Sequence, residues 1–117
     1  MENIKRQYLE ELQEPEEEGV LEEELLGEIQ EFLTEVLNEE IPIEKVAYRL
    51  EQLVFNPVND PEIDFRIARY YILLNIMISR RKVLEADSCE ELVSAVVSLE
   101  LGRERLLNLG EKWKPIH

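Results

Sequence analysis

The spacing of apolar residues along the chain predicts helices, and strand signals are weak. Apolar residues recur every three or four positions in five segments, which is the period of an amphipathic helix. The predicted helices span residues 3–13, 20–38, 43–54, 61–86 and 88–101. Loops are predicted at 14–19 and 55–61, where Pro and Gly interrupt the pattern, and an irregular tail at 110–117. Residues 1–117 therefore fit one all-α domain, a bundle of about five helices.

Polar residues mark the starts of two of these helices. Asp60 precedes Pro61, so its carboxylate can accept the free amides of the first turn. Ser88 has Glu91 three residues later, which matches a capping box. Near the other end of the last helix, Gly102 indicates a break or kink before a final turn.

The fourth predicted helix contains the most apolar run of the chain, Tyr70 to Ile78. This run is less than half of the roughly 20 apolar residues that a membrane crossing needs. A helical projection divides its apolar residues between two nearly opposite faces. The first face holds Ile63, Ile67, Tyr70, Tyr71, Leu74, Met77 and Ile78, and the second holds Phe65, Ile72, Ile76 and Val83. We therefore predict a central helix that is covered on two sides.

Two interpretations of this two-faced helix stay open. In one, both faces pack against the chain itself; in the other, one face is a partner interface, since Tyr, Met and Arg are enriched at interfaces. The candidate partner interface comprises Tyr70, Tyr71, Leu74, Met77, Ile78, Arg80 and Arg81. The basic cluster Arg80-Arg81-Lys82 is either a helix end that pairs with acids or a contact with an acidic partner.

Charge is distributed unevenly along the chain, whose net charge is −14. Residues 1–64 carry 20 acidic and 4 basic residues, a net of −16, whereas residues 65–117 carry 7 acidic and 9 basic residues, a net of +2. Such an acidic half repels nucleic-acid phosphates, so we expect it to make no direct contact with nucleic acid. The candidate acidic face comprises Glu23, Glu24, Glu31 and Glu35, which either solvate a helix or meet a basic partner.

The tail offers a third candidate contact, at Trp113 with Lys112 and Lys114. An aromatic ring between lysines can stack on a nucleobase. The alternatives are that the ring packs back on the bundle or docks into a partner protein.

Groups that carry catalysis are scarce in the sequence. The four glycines form no phosphate-binding pattern, and one Cys with one His cannot make a zinc set. A di-iron bundle needs Glu-x-x-His, and no predicted helix contains a histidine. We expect no catalytic residue, no metal and no cofactor. The single Cys89 indicates a reducing compartment. Because the N-terminus also has no signal-peptide pattern, we expect a cytoplasmic protein without membrane contact. The many glutamates hint at a thermophile.

The central helix and the segment before it resemble a known family. The stretch "IDFRIARYYILLNIMISRRKVLEAD" (63–87) is similar to the central helical motif of GINS subunits, α-helical components of the replisome. Arg80, Arg81, Lys82 and Val83 would match its basic end, and "LLGEIQEFLTEVL" (25–37) resembles the helix after a "PxDFY" segment. The Pro, Asp and Tyr of that segment are missing, and no β-domain is visible. The resemblance implies a structural role, docking through the central helices, and no active site.

Three hypotheses about function follow. The first is a non-enzymatic adaptor that binds protein partners or a second copy of itself, in a replication or other nucleic-acid-processing complex. The second is an acidic inhibitor or DNA mimic that blocks a basic cleft through its Glu-rich half. The third is a small hydrolase or metal-binding bundle, for which the sequence offers carboxylates but no further groups.

Overall fold

The computed structural model describes residues 2–11 and 18–112, which form helices and contain no strand. The helices are α1 (Glu2–Glu11), α2 (Glu18–Leu37), α3 (Val46–Phe55), α4 (Pro61–Glu85) and α5 (Cys89–Lys112), with a 3₁₀ turn (Ile43–Lys45) before α3. The all-α bundle with a two-faced central helix is confirmed.

α4 is the central helix, and the other helices pack on two sides of it. α2 and α3 lie on one side, and α5 lies along the other. The chain measures 45 × 33 × 22 Å. A helix of 25 residues, the length of α4, is about 37 Å long and about 10 Å across. The extents therefore fit a plate that is three helices wide and about two helices thick.

The first core lies between α2, α3 and the first half of α4. Its buried residues are Ile29, Phe32, Leu33, Ile41, Val46, Leu50, Ile67, Tyr70 and Leu74. Nearly all of them belong to the apolar stripes that predict these helices. The side-chain amide of Gln30 donates a hydrogen bond of 2.7 Å to the carbonyl of Ile41. This bond fixes the connection after α2 to the helix.

The second core lies between α4 and α5. Its buried residues are Ile76, Val83, Ala95 and Leu99, with Tyr8 of α1 among the half-buried residues at its edge. On α4, Ile76 and Val83 lie nearly opposite Ile67 and Leu74. Both predicted apolar faces of α4 thus pack against the chain itself.

Gly102 is buried within α5, and the predicted break at this position is wrong. The helix runs without interruption from Cys89 to Lys112. A Cβ added to Gly102 would lie 2.8 Å from Cγ1 of Ile76 in α4. The glycine therefore allows two helices to approach closely, and it does not end one.

α1 is held against the end of α4 by the side chain of Lys5. Lys5 is only 3% exposed, whereas its neighbour Ile4 is exposed. The Lys5 ammonium donates hydrogen bonds of 3.0 Å to the carbonyl of Leu84 and 2.5 Å to that of Ala86. These carbonyls lie at the C-terminal end of α4, where the helix dipole favours a cation.

The predicted helix starts are confirmed at both capping sites. Asp60 Oδ1 accepts the amides of Glu62 at 3.1 Å and Ile63 at 3.3 Å. Ser88 Oγ accepts the Glu91 amide at 3.2 Å, and the Glu91 carboxylate accepts the Asp87 amide at 2.9 Å. The second bond reaches one residue further back than in a standard capping box.

Helix boundaries differ by a few residues from those predicted. α2 begins at Glu18, so the last two residues of the predicted loop 14–19 are helical; its first four lie outside the described residues. The loop predicted at 55–61 spans 56–60, and residues 110–112 of the predicted tail continue α5. Trp113 and Lys114 lie outside the described residues, as does the side chain of Lys112.

Candidate interaction surfaces

Most of the candidate partner interface on α4 lies inside the chain. Tyr70 and Leu74 are buried in the first core, and Tyr71 and Ile78 are half-buried against it. Met77 is half-buried as well. Because α2 and α3 cover this face, a partner cannot reach Tyr70 or Leu74 in this fold, and we assign both residues to the core.

The two arginines of the candidate interface have different surroundings. Arg80 is buried, since it follows Ile76 by four residues and precedes Val83 by three on the side covered by α5. Arg81 is exposed, and its Nη1 donates to both carboxylate oxygens of Glu22 in α2, at 2.8 and 3.0 Å. Of the two interpretations of the basic cluster, the Arg81 contact matches pairing with the acidic half.

A third arginine covers the aromatic residues at the edge of the first core. The guanidinium carbon of Arg66 lies 4.3 Å above the ring centroid of Phe32 and 6.0 Å from that of Tyr70. The two rings are 5.4 Å apart and tilted by 49°. This arrangement is a cation–π contact that shields the core from solvent.

The candidate acidic face is exposed along α2. Glu23, Glu24, Glu31 and Glu35 all point to solvent, and Glu28 is exposed between them. Four of these carboxylates, those of Glu24, Glu28, Glu31 and Glu35, follow each other at three- or four-residue spacing and so form a single row on the helix.

The outer face of α5 carries an exposed apolar row that sequence reasoning missed. Val93 is 62% exposed, Val97 58% and Leu101 45%. The three residues are four positions apart, so they form one row about 12 Å long. The row faces away from α4, because Ala95 and Leu99 on the opposite side of α5 fill the second core.

A groove opens beside this row, between the C-terminal end of α4 and the first half of α5. Its volume is about 620 Å³. α4 contributes Lys82 and Glu85 to its lining, and α5 contributes Glu91, Ser94 and Ser98. The small side chains of Ser94 and Ser98 leave space beside Val93 and Val97.

α3 carries a second exposed apolar surface, the aromatic pair of Tyr48 and Phe55. Their side chains are 60% and 72% exposed. They lie seven residues, or two turns, apart on one side of α3, whose buried side contributes Val46 and Leu50 to the first core. The pair therefore faces away from α4 on the side opposite to the α5 row.

Comparison with known proteins adds no assignment. No protein family, curated protein or solved structure matches the chain. Nothing in these comparisons bears on the resemblance of residues 63–87 to GINS subunits.

Two further findings concern the described part of the chain. No helix within 2–11 and 18–112 combines the length and the apolar character of a membrane crossing. In the same residues, no group of three or more His, Cys, Asp and Glu side chains could hold a metal ion.

The sequence contains a signal for both missed surfaces. Apolar residues of the fifth helix lie on all sides of its projection, so one helix in a small bundle must expose some of them. Tyr48 and Phe55 fall among the charged residues on the polar side of α3. Aromatic residues on an otherwise polar helix face are a typical sign of a binding surface.

Proposed function

We propose that the protein is a non-enzymatic helical adaptor that binds protein partners at two separate surfaces. The first is the α5 row, Val93, Val97 and Leu101, and the second is the aromatic pair of Tyr48 and Phe55. One observation carries the proposal: five of the exposed large apolar side chains form two groups, which lie on opposite sides of α4.

Exposure of these residues has a free-energy cost that a partner would offset. Fully burying a Val, Leu or Phe side chain contributes about 1.5–3 kcal/mol relative to leaving it in water. The α5 row alone therefore offers several kcal/mol to a partner that covers it. Tyr and Phe add large contact areas with few rotatable bonds.

The arrangement of the cores supports a bridging role. Each surface belongs to a helix whose opposite side packs on α4, through Leu50 for α3 and Leu99 for α5. Covering one surface leaves the other accessible. A partner on α3 and a partner on α5 can then be bound at the same time.

A replication complex is the setting we propose for this adaptor, on the resemblance of residues 63–87 to GINS subunits. Docking would use α3 and α5 rather than the buried face of α4. This setting does not follow from the two surfaces themselves, and a partner from another complex would leave the adaptor proposal intact.

The proposal is tested by partner capture with surface variants. One variant carries Val93→Gln, Val97→Gln and Leu101→Gln; the other carries Tyr48→Gln and Phe55→Gln. Glutamine keeps helix propensity and removes apolar surface. Affinity capture from native extract, followed by mass spectrometry, should show each variant losing one set of proteins and keeping the other.

The matched control is Val58→Gln, which removes an exposed apolar side chain outside both surfaces. It should recover the same proteins as the wild type. Thermal unfolding should be nearly unchanged in all variants, because the substituted side chains are exposed. If both surface variants recover the wild-type set of proteins, the adaptor proposal fails.

A second candidate function is supported by the row of carboxylates on α2. Glu24, Glu28, Glu31 and Glu35 present four negative charges over about 16 Å, which a basic cleft could receive in place of a phosphate backbone. Arg81 pairs with Glu22 and not with a member of this row. The row therefore stays available to a basic partner.

This DNA-mimic candidate predicts a different sensitivity from that of the adaptor. Replacing Glu24, Glu28, Glu31 and Glu35 with Gln should abolish capture of nucleic-acid-binding proteins and leave proteins bound through α5 in place. If the four replacements leave every captured protein unchanged, the candidate is excluded.

A further inference from the structure

The α5 row is surrounded by negative charge, which restricts the partner it can take. Glu90 lies one turn before Val93, and Glu104 lies one turn after Leu101, so exposed carboxylates stand at both ends of the row. Glu100 is also exposed and accepts a hydrogen bond from the Tyr8 hydroxyl. The exposed Arg105 is a positive charge near the far end.

The groove beside the row also carries a net negative charge. Glu85, Glu90 and Glu91 contribute three carboxylates to its lining, against one ammonium from Lys82. An apolar partner that entered the groove would have to pass these charges. A partner with lysines or arginines beside its apolar residues would pair with them.

A second copy of the chain fits this surface poorly, because it brings glutamates of the two copies together. If two α5 helices packed antiparallel about Val97, Glu90 of one copy would face Glu104 of the other, seven residues from the centre on each side. Parallel packing would place each glutamate beside its own counterpart. The net charge of −14 on each copy adds long-range repulsion.

An anionic membrane does not fit it either. Attachment of a helix to a lipid surface uses lysines and arginines beside the apolar residues, since the lipid headgroups are negative. Here the flanking residues Glu90, Glu100 and Glu104 carry the opposite charge.

We infer that the outer face of α5 binds a basic amphipathic helix of a partner protein. Apolar residues of that helix, spaced three or four apart, pack on Val93, Val97 and Leu101. Its lysines or arginines lie against Glu90 and Glu104, and the serines Ser94 and Ser98 allow its backbone to approach. This inference rests on the proposed function, because it names the partner of the α5 surface.

The test uses the full chain and two synthetic peptides. One is a helical peptide of about 18 residues, long enough to hold a helix in isolation, with leucines on one face flanked by lysines. The other has the same leucines with a glutamate for every lysine. Isothermal titration gives the dissociation constants, and amide chemical shifts locate the contact on the protein.

We expect the basic peptide to shift amides of α5 and to bind at least about tenfold more tightly than the acidic peptide, because like charges repel across an interface. The variant Glu90→Gln with Glu104→Gln should weaken binding of the basic peptide by roughly threefold to tenfold. Val93→Gln with Val97→Gln should weaken it further.

A matched control separates local pairing from net charge. Glu40→Gln with Glu44→Gln also changes the net charge from −14 to −12, but these exposed residues lie between α2 and α3, on the other side of α4. With neighbouring helices about 8–10 Å apart, that side of the bundle is about two helix spacings from α5. This exceeds the roughly 10 Å Debye length at 0.1 M salt, so the control should change binding less than about twofold.

The outcomes distinguish this inference from the proposed function. If the acidic peptide binds α5 as tightly as the basic one, or if the two glutamine pairs weaken binding equally, the basic helix is the wrong partner and the α5 surface still binds. If Val93→Gln with Val97→Gln leaves every peptide bound as before, the α5 surface itself is wrong, and the inference falls with it.

Discussion

Gly102 of α5 lies directly against Ile76 of α4. A Cβ added to Gly102 would come within 2.8 Å of Cγ1 of Ile76, and within 3.9 Å of its Cα. Real Cβ contacts are essentially never this short, so the isoleucine or the helix would have to move. The pair therefore sets how closely the two helices of the second core approach.

We predict that Gly102→Ala destabilises the protein. Alanine improves helix propensity by about 1 kcal/mol, but overpacking a core costs about 1–3 kcal/mol. The net change should be a loss of about 1 kcal/mol in the free energy of unfolding, measured by urea denaturation. In an Ile76→Ala background the same substitution should become stabilising, because the clashing atoms are gone.

The control for this substitution is Gly27→Ala in the middle of α2. A Cβ there meets no atom within 4 Å, so only the helix-propensity gain of about 0.5–1 kcal/mol should appear. Equal effects at Gly27 and Gly102 would show that the contact with Ile76 is not limiting.

The contact of Lys5 with the end of α4 gives the second prediction. Lys5→Met keeps the aliphatic length and removes the ammonium that serves the carbonyls of Leu84 and Ala86. Hydrogen bonds to charged groups contribute about 1.5–3 kcal/mol, so we expect the free energy of unfolding to fall by an amount in this range. Hydrogen exchange should show that amides of α1 lose protection more than those of α3.

The neighbouring Arg6 provides a matched control, since its side chain is exposed. Arg6→Met makes the same change in charge and should alter the free energy of unfolding by less than about 0.5 kcal/mol. If Lys5→Met is as mild as Arg6→Met, the contacts with the α4 carbonyls do not stabilise α1.

Periodicity alone predicts most of the architecture. The stripes on α2 and α3 and the two faces of α4 follow from local spacing, because residues three or four positions apart share one face of a helix. The caps at Asp60 and Ser88 are equally local, since each bond spans two or three residues.

Features that depend on distant contacts could not be predicted in this way. Lys5 bonds residues about 80 positions away, and nothing near it indicates burial. Gly102 looks like a helix breaker until Ile76 is placed beside it. The same limit applies to the candidate interface: spacing shows that Tyr70 and Leu74 face one way, but it does not show that α2 and α3 cover them.

The cation–π contact of Arg66 with Phe32 gives the third prediction. A cycle of Arg66→Met, Phe32→Leu and the double variant should yield a coupling energy of about 0.5–1 kcal/mol, as expected for exposed cation–π pairs. Methionine preserves the packing of the aliphatic stem, so the coupling reports the charge. Chemical denaturation of the four proteins supplies the free energies.

Arg69 is the control for this cycle, because it is exposed on the same helix, three residues further on. A cycle of Arg69→Met with Phe32→Leu should give no coupling beyond about 0.3 kcal/mol. Similar couplings at Arg66 and Arg69 would mean that the ring responds to charge in general.

Asn38, the residue after α2, gives the fourth prediction. Its φ angle is 53°, in the left-handed region that asparagine and glycine tolerate better than other residues. Asn38→Ala should lower the free energy of unfolding by about 1–2 kcal/mol, and Asn38→Gly should leave it nearly unchanged. Asn56 likewise follows a helix, α3, but has a φ of −127°. Asn56→Ala should therefore cost less than about 0.5 kcal/mol. Equal losses for the two alanine variants in urea denaturation would show that the backbone conformation of Asn38 does not limit the stability of this helix end.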